Sequence, residues 1–169
     1  MKLSLLILCA FVQLSFGQKS LDKLLKKHND NGVPYISVEE LAMPKTKAIL
    51  LDTREKEEFN MSHLKNAIHV GYNNFNIKNI ETQIPNKYHE IVVYCSLGIR
   101  SETIGEQLKA SGYTNVKNLY GGIFKWKNKD FKVYKNNTET DTIHTFSKAW
   151  SKWLKKGISY YPKATTNEQ

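Results

Sequence analysis

Short uncharged runs recur along this chain, separated by polar, turn-forming stretches. Ala48-Ile49-Leu50-Leu51 is one such run and ends at Asp52. Glu90-Ile91-Val92-Val93-Tyr94 is the clearest, β-branched and uncharged after its first residue, and it predicts a buried strand. Pro34-Tyr35-Ile36, Ala67-Ile68-His69-Val70 and Val116 to Tyr120 predict three more extended pieces. Between them lie segments with helical spacing. Ser37-Val38-Glu39-Glu40-Leu41 reads as a capping box, residues 54–61 as a short polar helix, and residues 73–83 as a helix or a turn-rich loop. Residues 100–111 place Ile104 and Leu108 four apart, with Gly112 as a stop, and Gly121-Gly122 opens a short helix containing Phe124 and Trp126. Strands alternating with helices predict an α/β fold, a mostly parallel central sheet flanked by helices.

The ends of the chain read differently. Phe146, Ala149, Trp150, Trp153 and Leu154 fall on one helical face, with Lys148, Lys152, Lys155 and Lys156 off it. This predicts an extra C-terminal amphipathic helix within an extension, residues 131–161, that packs on the domain. A partner or membrane-interface surface is the competing use. Residues 162–169 are polar and predicted to be a disordered tail. Residues 18–33 form a polar lead-in or a short helix ending at Gly32. Before them, one lysine, an apolar run from Leu3 to Val12 and small residues at Ser15 and Gly17 match a secretory signal peptide cleaved after Gly17. The run is too short to span a bilayer, which takes ~20 residues. The expected location is therefore periplasmic or secreted, with no stable membrane span.

Processing changes the charge and cysteine arithmetic. Of 169 residues and a net charge of +9, cleavage removes Lys2 and Cys9, leaving +8 and one cysteine, Cys95. An exported chain with one cysteine has no internal disulfide, so Cys95 is either an inert buried thiol or a reactive one. The dispersed positive charge attracts small anions and does not by itself argue for nucleic acid. His28, His63, His69, His89 and His144 have no ligand spacing, so no metal is expected, and no glycine-rich nucleotide loop is present.

Cys95-Ser96-Leu97-Gly98-Ile99-Arg100-Ser101 joins the clearest strand to the clearest helix. Gly98 lets the chain curl, Ser101 is placed to cap the helix, and the loop N–H groups are expected to turn inward as an anion-binding nest. The helix N-terminus and Arg100 both favour a thiolate at Cys95, since such surroundings lower a thiol pKa from ~8.5 to ~3.5–7.5. The loop suits a nucleophilic sulfur that attacks or carries an anionic group.

That heptad resembles the active loop of the rhodanese-like sulfurtransferases. Leu50-Leu51-Asp52-Thr53-Arg54 with Glu58-Phe59 and His63-Leu64-Lys65-Asn66-Ala67-Ile68 is similar to a second signature of the family, with Ser62 where glycine is frequent. Asn118-Leu119-Tyr120-Gly121-Gly122 with Trp126 resembles a third. The resemblance implies one rhodanese-like domain over residues 34–130. It implies a thiosulfate sulfurtransferase-like enzyme without cofactor, in which Cys95 takes sulfane sulfur from an anionic donor such as thiosulfate or a persulfide. The Cys95 persulfide then passes it to a thiol, a cyanide-like acceptor or a protein acceptor. Ser96, Leu97, Gly98, Ile99, Arg100 and Ser101 would hold the persulfide and attract the donor. Asp52, Arg54, Glu58 and His63 would support the site, with Glu58 and His63 either ordering a helix or lying near the ligand.

Two enzyme classes fit less well. Cysteine phosphatases have five residues between cysteine and arginine; here there are four, and Tyr94 stands where a histidine would precede the nucleophile. A disulfide oxidoreductase needs a resolving cysteine. A non-turnover sulfur carrier or protein-interaction module is the remaining alternative.

Overall fold

The computed structural model describes residues 20–162, which fall into two units, 20–32 and 33–162. The signal peptide and nearly all of the tail expected from the sequence lie outside the described residues. The first unit is a single helix, α1, over residues 20–28. No helix among the described residues is long and apolar enough to cross a membrane.

The second unit begins with strand β1 (Tyr35–Ile36) and helix α2 (Val38–Leu41), whose N-cap Ser37 accepts from the Glu40 N–H at 3.0 Å. There follow β2 (Ile49–Asp52), α3 (Lys56–Met61), β3 (Ile68–His69), α4 (Ile77–Gln83), β4 (Ile91–Tyr94), α5 (Arg100–Ala110), β5 (Val116–Leu119) and α6 (Gly122–Asn128). β1 to β5 form one sheet in the order β1-β5-β4-β2-β3, every neighbouring pair parallel. The expected α/β fold with its parallel sheet is therefore present. β4 lies at the centre and is buried along its whole length, which explains its uncharged, β-branched sequence.

Alternation along the strands divides the core. Leu51, Ile91, Val93 and Val116 pack with Ile80 and Ile84 of the α4 region and with Ile104 and Leu108 of α5. The i, i+4 pair read in the sequence is thus the buried stripe of α5. That helix ends at Ala110, with Gly112 at φ +92° just beyond. Residues 73–83, left open between helix and loop, contain α4, capped by the Asn76 side chain.

The chain beyond α6 departs from expectation. It forms an antiparallel pair, β6 (Val133–Lys135) with β7 (Thr138–Thr140), and a parallel pair, β8 (Thr142–His144) with β9 (Ile158–Tyr160). The predicted C-terminal amphipathic helix is reduced to one turn, α7 (Lys148–Ser151). Phe146, its supposed first apolar position, takes φ +64° and is exposed, and Ser147 starts the turn after it. Gly157 at φ +90° then directs the chain into β9. The five apolar residues keep helical spacing, but backbone pairing of β8 with β9 competes with helix formation and prevails. The buried residues of this segment are instead Val133, Ile143, His144 and Thr145.

Candidate active site

Parallel strands deliver their carboxyl ends to one edge of the sheet, where ligand sites form in such folds. β2 and β4 run in register, with Asp52 opposite Tyr94. The next residue after Tyr94 is Cys95, buried at 2% exposure. Its loop closes on the first turn of α5, and the Gly98 N–H donates to Cys95 Sγ at 3.1 Å. Gly98 sits at φ +106°, and a side chain there would press on the Leu119 carbonyl at 3.3 Å, so glycine is required for the curl.

The thiol pKa is lowered. Burial, the largest influence, pushes it up, but the Arg100 charge and hydrogen bonds from the Ser101 backbone and side chain and the Gly98 N–H outweigh it. The inward-facing donors expected of the loop are thus Gly98 and Ser101. Ser101 does not cap α5: Ile99 holds the N-cap position without a side-chain bond. The Ser101 hydroxyl points inward and donates to Asn118 Oδ1 at 2.8 Å.

Arg100 is held firmly. Its Nη1 donates to Glu58 Oε2 at 2.7 Å, and its Nη2 to Glu58 Oε1 at 2.8 Å and to Ser96 Oγ at 3.1 Å. Ser96 Oγ also donates to Glu58 Oε1 at 3.2 Å. Glu58 both closes a capping box with Glu55 at the start of α3 and grips the loop arginine. Glu58 therefore orders the start of α3 and, from the same carboxylate, holds the loop arginine. Burial opposes its ionisation, but hydrogen bonding and charge from Arg100 hold its carboxyl below the usual range.

The remaining expected residues frame the site from a distance. Asp52 and Arg54 are fully buried and paired, Arg54 Nε to Asp52 Oδ1 at 2.9 Å and Nη2 to Oδ2 at 2.6 Å. Arg54 Nη2 also donates to the Ser62 carbonyl at 2.6 Å, so the pair ties the end of β2 to the turn after α3. His63 stacks on Phe59 with ring centroids 4.2 Å apart and bonds the Leu64 carbonyl through Nδ1 at 2.9 Å. These contacts make it a packing residue of that turn.

Three residues named in the sequence for other reasons stand at the site. Asn118 is fully buried, and its Nδ2 donates to the Gly98 carbonyl at 2.8 Å and to Glu102 Oε2 at 2.9 Å. The available signal was its alternation with the half-buried Lys117, which puts Asn118 on the opposite face of the strand. His144 of β8 is buried near Glu58 and Arg100, whose charges act on it, and the Phe146 ring lies over the Arg100 guanidinium, 5.8 Å from its centroid. No sequence spacing brings these last two to the loop. The glycine pair does what its sequence implied. Gly121 and Gly122 take φ +77° and +54° and open α6 beneath the loop, with Ile123 N–H donating to the Cys95 carbonyl at 3.0 Å.

Comparison with known proteins agrees with this geometry. The family model described as the rhodanese-like domain matches residues 37–129. The adenylyltransferase and sulfurtransferase UBA4 of Candida albicans is 35% identical over 115 residues, covering 65% of this chain and 26% of that protein. The tRNA uridine(34) hydroxylase of Listeria monocytogenes is 34% identical over 90 residues, covering 50% of this chain and 28% of the relative. The chain thus spans about a quarter of the length of these curated relatives. Among solved structures, thiosulfate sulfurtransferase from Pseudomonas aeruginosa superposes with a TM-score of 0.54 at 22% identity, over 72% of this chain and 23% of that one. The rhodanese-like domain of an Anabaena protein superposes with a TM-score of 0.54 at 18% identity, over 62% of this chain and 80% of that one. The matched span, more than half of the chain, holds β2 to β5 of the sheet, the cysteine loop and the Glu58–Arg100 pair, and on that basis the chain belongs to the rhodanese-like domain family.

Proposed function

We propose that this protein is a sulfurtransferase that carries sulfane sulfur on Cys95. The observation that carries the reading is the loop geometry around Cys95: the Gly98 N–H donates to Sγ at 3.1 Å at the start of α5, and with Ser101 and Arg100 it favours the thiolate. The thiolate that these groups favour attacks the outer sulfur of a sulfur donor, and the same hydrogen-bond donors stabilise the anionic persulfide formed. Family membership and the sulfurtransferase among its relatives support the same chemistry. Thiosulfate and persulfides are the donor classes within the proposal, and thiols, cyanide or a protein thiolate the acceptors. The apolar run from Leu3 to Val12 supports export, and the reaction is then periplasmic or extracellular.

The test is sulfur transfer to cyanide by the protein lacking residues 1–17, with intact mass recorded after donor alone. Turnover together with a one-sulfur mass gain, both lost in Cys95→Ser, is the expected result. A mass gain without turnover identifies a carrier that hands sulfur to a protein. Absence of both with thiosulfate and persulfide donors overturns the reading.

A further inference from the structure

The segment after α6, beyond the family match at residue 129, returns to the cysteine loop. There β8 places His144 close enough to Glu58, Arg54, Glu57 and Arg100 for their charges to act on it. Burial is the largest influence and lowers its pKa, which keeps the ring neutral near pH 7. Its Nδ1 accepts the Phe146 N–H at 3.2 Å. This bond folds residues 144–146 into a tight turn in which Phe146 takes φ +64°, a left-handed conformation that a residue other than glycine rarely adopts. The ring gains little burial in return: Phe146 is 57% exposed and lies over the Arg100 guanidinium. Hydrophobic packing does not account for an exposed ring on a strained backbone over the arginine of the cysteine loop.

Arg100 has polar partners as well. Glu58 takes two of its N–H groups and Ser96 Oγ shares one of its nitrogens. With Cys95 as thiolate, the cluster of Cys95, Arg100 and Glu58 carries one net negative charge. A dianion approaching it meets net repulsion, the bulk of the Phe146 ring and, wherever it meets the ring face, electron-rich π density. A donor with one charge or none, and an apolar body to lay against the ring, meets neither obstacle.

We propose that Phe146 is a specificity-determining residue that, together with Glu58, masks Arg100, so that the site takes sulfur from a hydropersulfide with an apolar body in preference to the thiosulfate dianion. The inference rests on the sulfur-transfer reading above. The Cys95 thiolate attacks the terminal sulfur of R–S–SH. The bond from Sγ to that sulfur forms while its bond to the R-bearing sulfur breaks. The thiolate RS⁻ leaves with the electron pair, and the proton stays on the transferred sulfur. No external oxidant or reductant enters.

The experiment measures, by intact mass, the rate at which Cys95 gains sulfur from benzyl hydropersulfide and from thiosulfate. It compares the wild type with Phe146→Asn, which removes the ring while tolerating the left-handed backbone, and Phe146→Trp, which keeps an aromatic face. Hydropersulfides are intrinsically the more reactive donors, so the ratio of the two rates is compared between variants. The expected result is a hydropersulfide-to-thiosulfate ratio at least ten-fold lower in Phe146→Asn and preserved in Phe146→Trp. A ratio unchanged in Phe146→Asn overturns the inference, because a merely structural change lowers both rates together. Loading from neither donor in the wild type overturns the sulfur-transfer reading and this inference with it.

Discussion

At the scale of single residues, the reactivity of Cys95 comes from a contest between burial and local donors. Burial alone leaves a thiol protonated; Arg100, Ser101 and the Gly98 N–H reverse that outcome. Alkylation by iodoacetamide is therefore expected to follow a pH profile with its midpoint below the ordinary thiol value of ~8.5. Replacing Arg100 with Gln removes a cation that favours the thiolate, so the midpoint should rise. An unchanged profile would contradict the electrostatic role assigned to Arg100. Glu58 gives a second pH signature. Its folded pKa is depressed, so its contribution to stability is full above its unfolded value of ~4.3 and disappears as pH falls through the folded value. Urea midpoints of the wild type should accordingly exceed those of Glu58→Gln at neutral pH, and the gap should close in acid. A constant gap across that range would mean that the lost hydrogen-bond shape, rather than charge, matters.

At the scale of elements, the loop keeps its shape because two neighbouring elements hold it. β5 contributes Asn118, which bonds the Gly98 carbonyl, Ser101 and Glu102 at once. The start of α6 contributes Gly122, where an added Cβ would lie 2.3 Å from the Cys95 carbonyl oxygen. Gly122→Ala meets both a positive φ and that collision. It should cost at least ~1–3 kcal/mol by chemical denaturation and raise the Cys95 thiol pKa through loop displacement. Wild-type stability and reactivity in this variant would refute the close approach. These holding groups were only partly legible in advance. The strand, the curl at Gly98 and the glycine pair follow from local sequence rules. Asn118 acquires its role only when β5 lies beside β4, a pairing of residues more than twenty positions apart.

Across the whole molecule, the parallel sheet brings Asp52, Cys95 and the start of α6 to one edge, and the buried Asp52–Arg54 pair locks that edge to the turn after α3. Removing one partner of a buried pair leaves an uncompensated charge. Arg54→Met should therefore destabilise the protein by ~3–5 kcal/mol, read from its urea midpoint, whereas a smaller loss in the double variant with Asp52→Leu would identify the stranded carboxylate as the cause.

The amino-acid sequence alone determined the order and type of the principal elements. β2, β4, α5 and β5 are long or apolar enough for local periodicity to specify them, and the burial of β4 follows from its uncharged run. It also marked the candidate nucleophile, because strand, glycine, arginine and helix follow one another within a few residues around Cys95. The tertiary structure alone decided what surrounds that group. Glu58 lies forty-two residues from Arg100 along the chain, and Phe146 forty-six beyond it, so their meeting depends on chain crossings that leave no local pattern. A related reason explains the C-terminal segment: its helical spacing is a local signal, whereas the strands on either side of it, β8 and β9, pair with each other and leave the residues between them as a connection with a single helical turn.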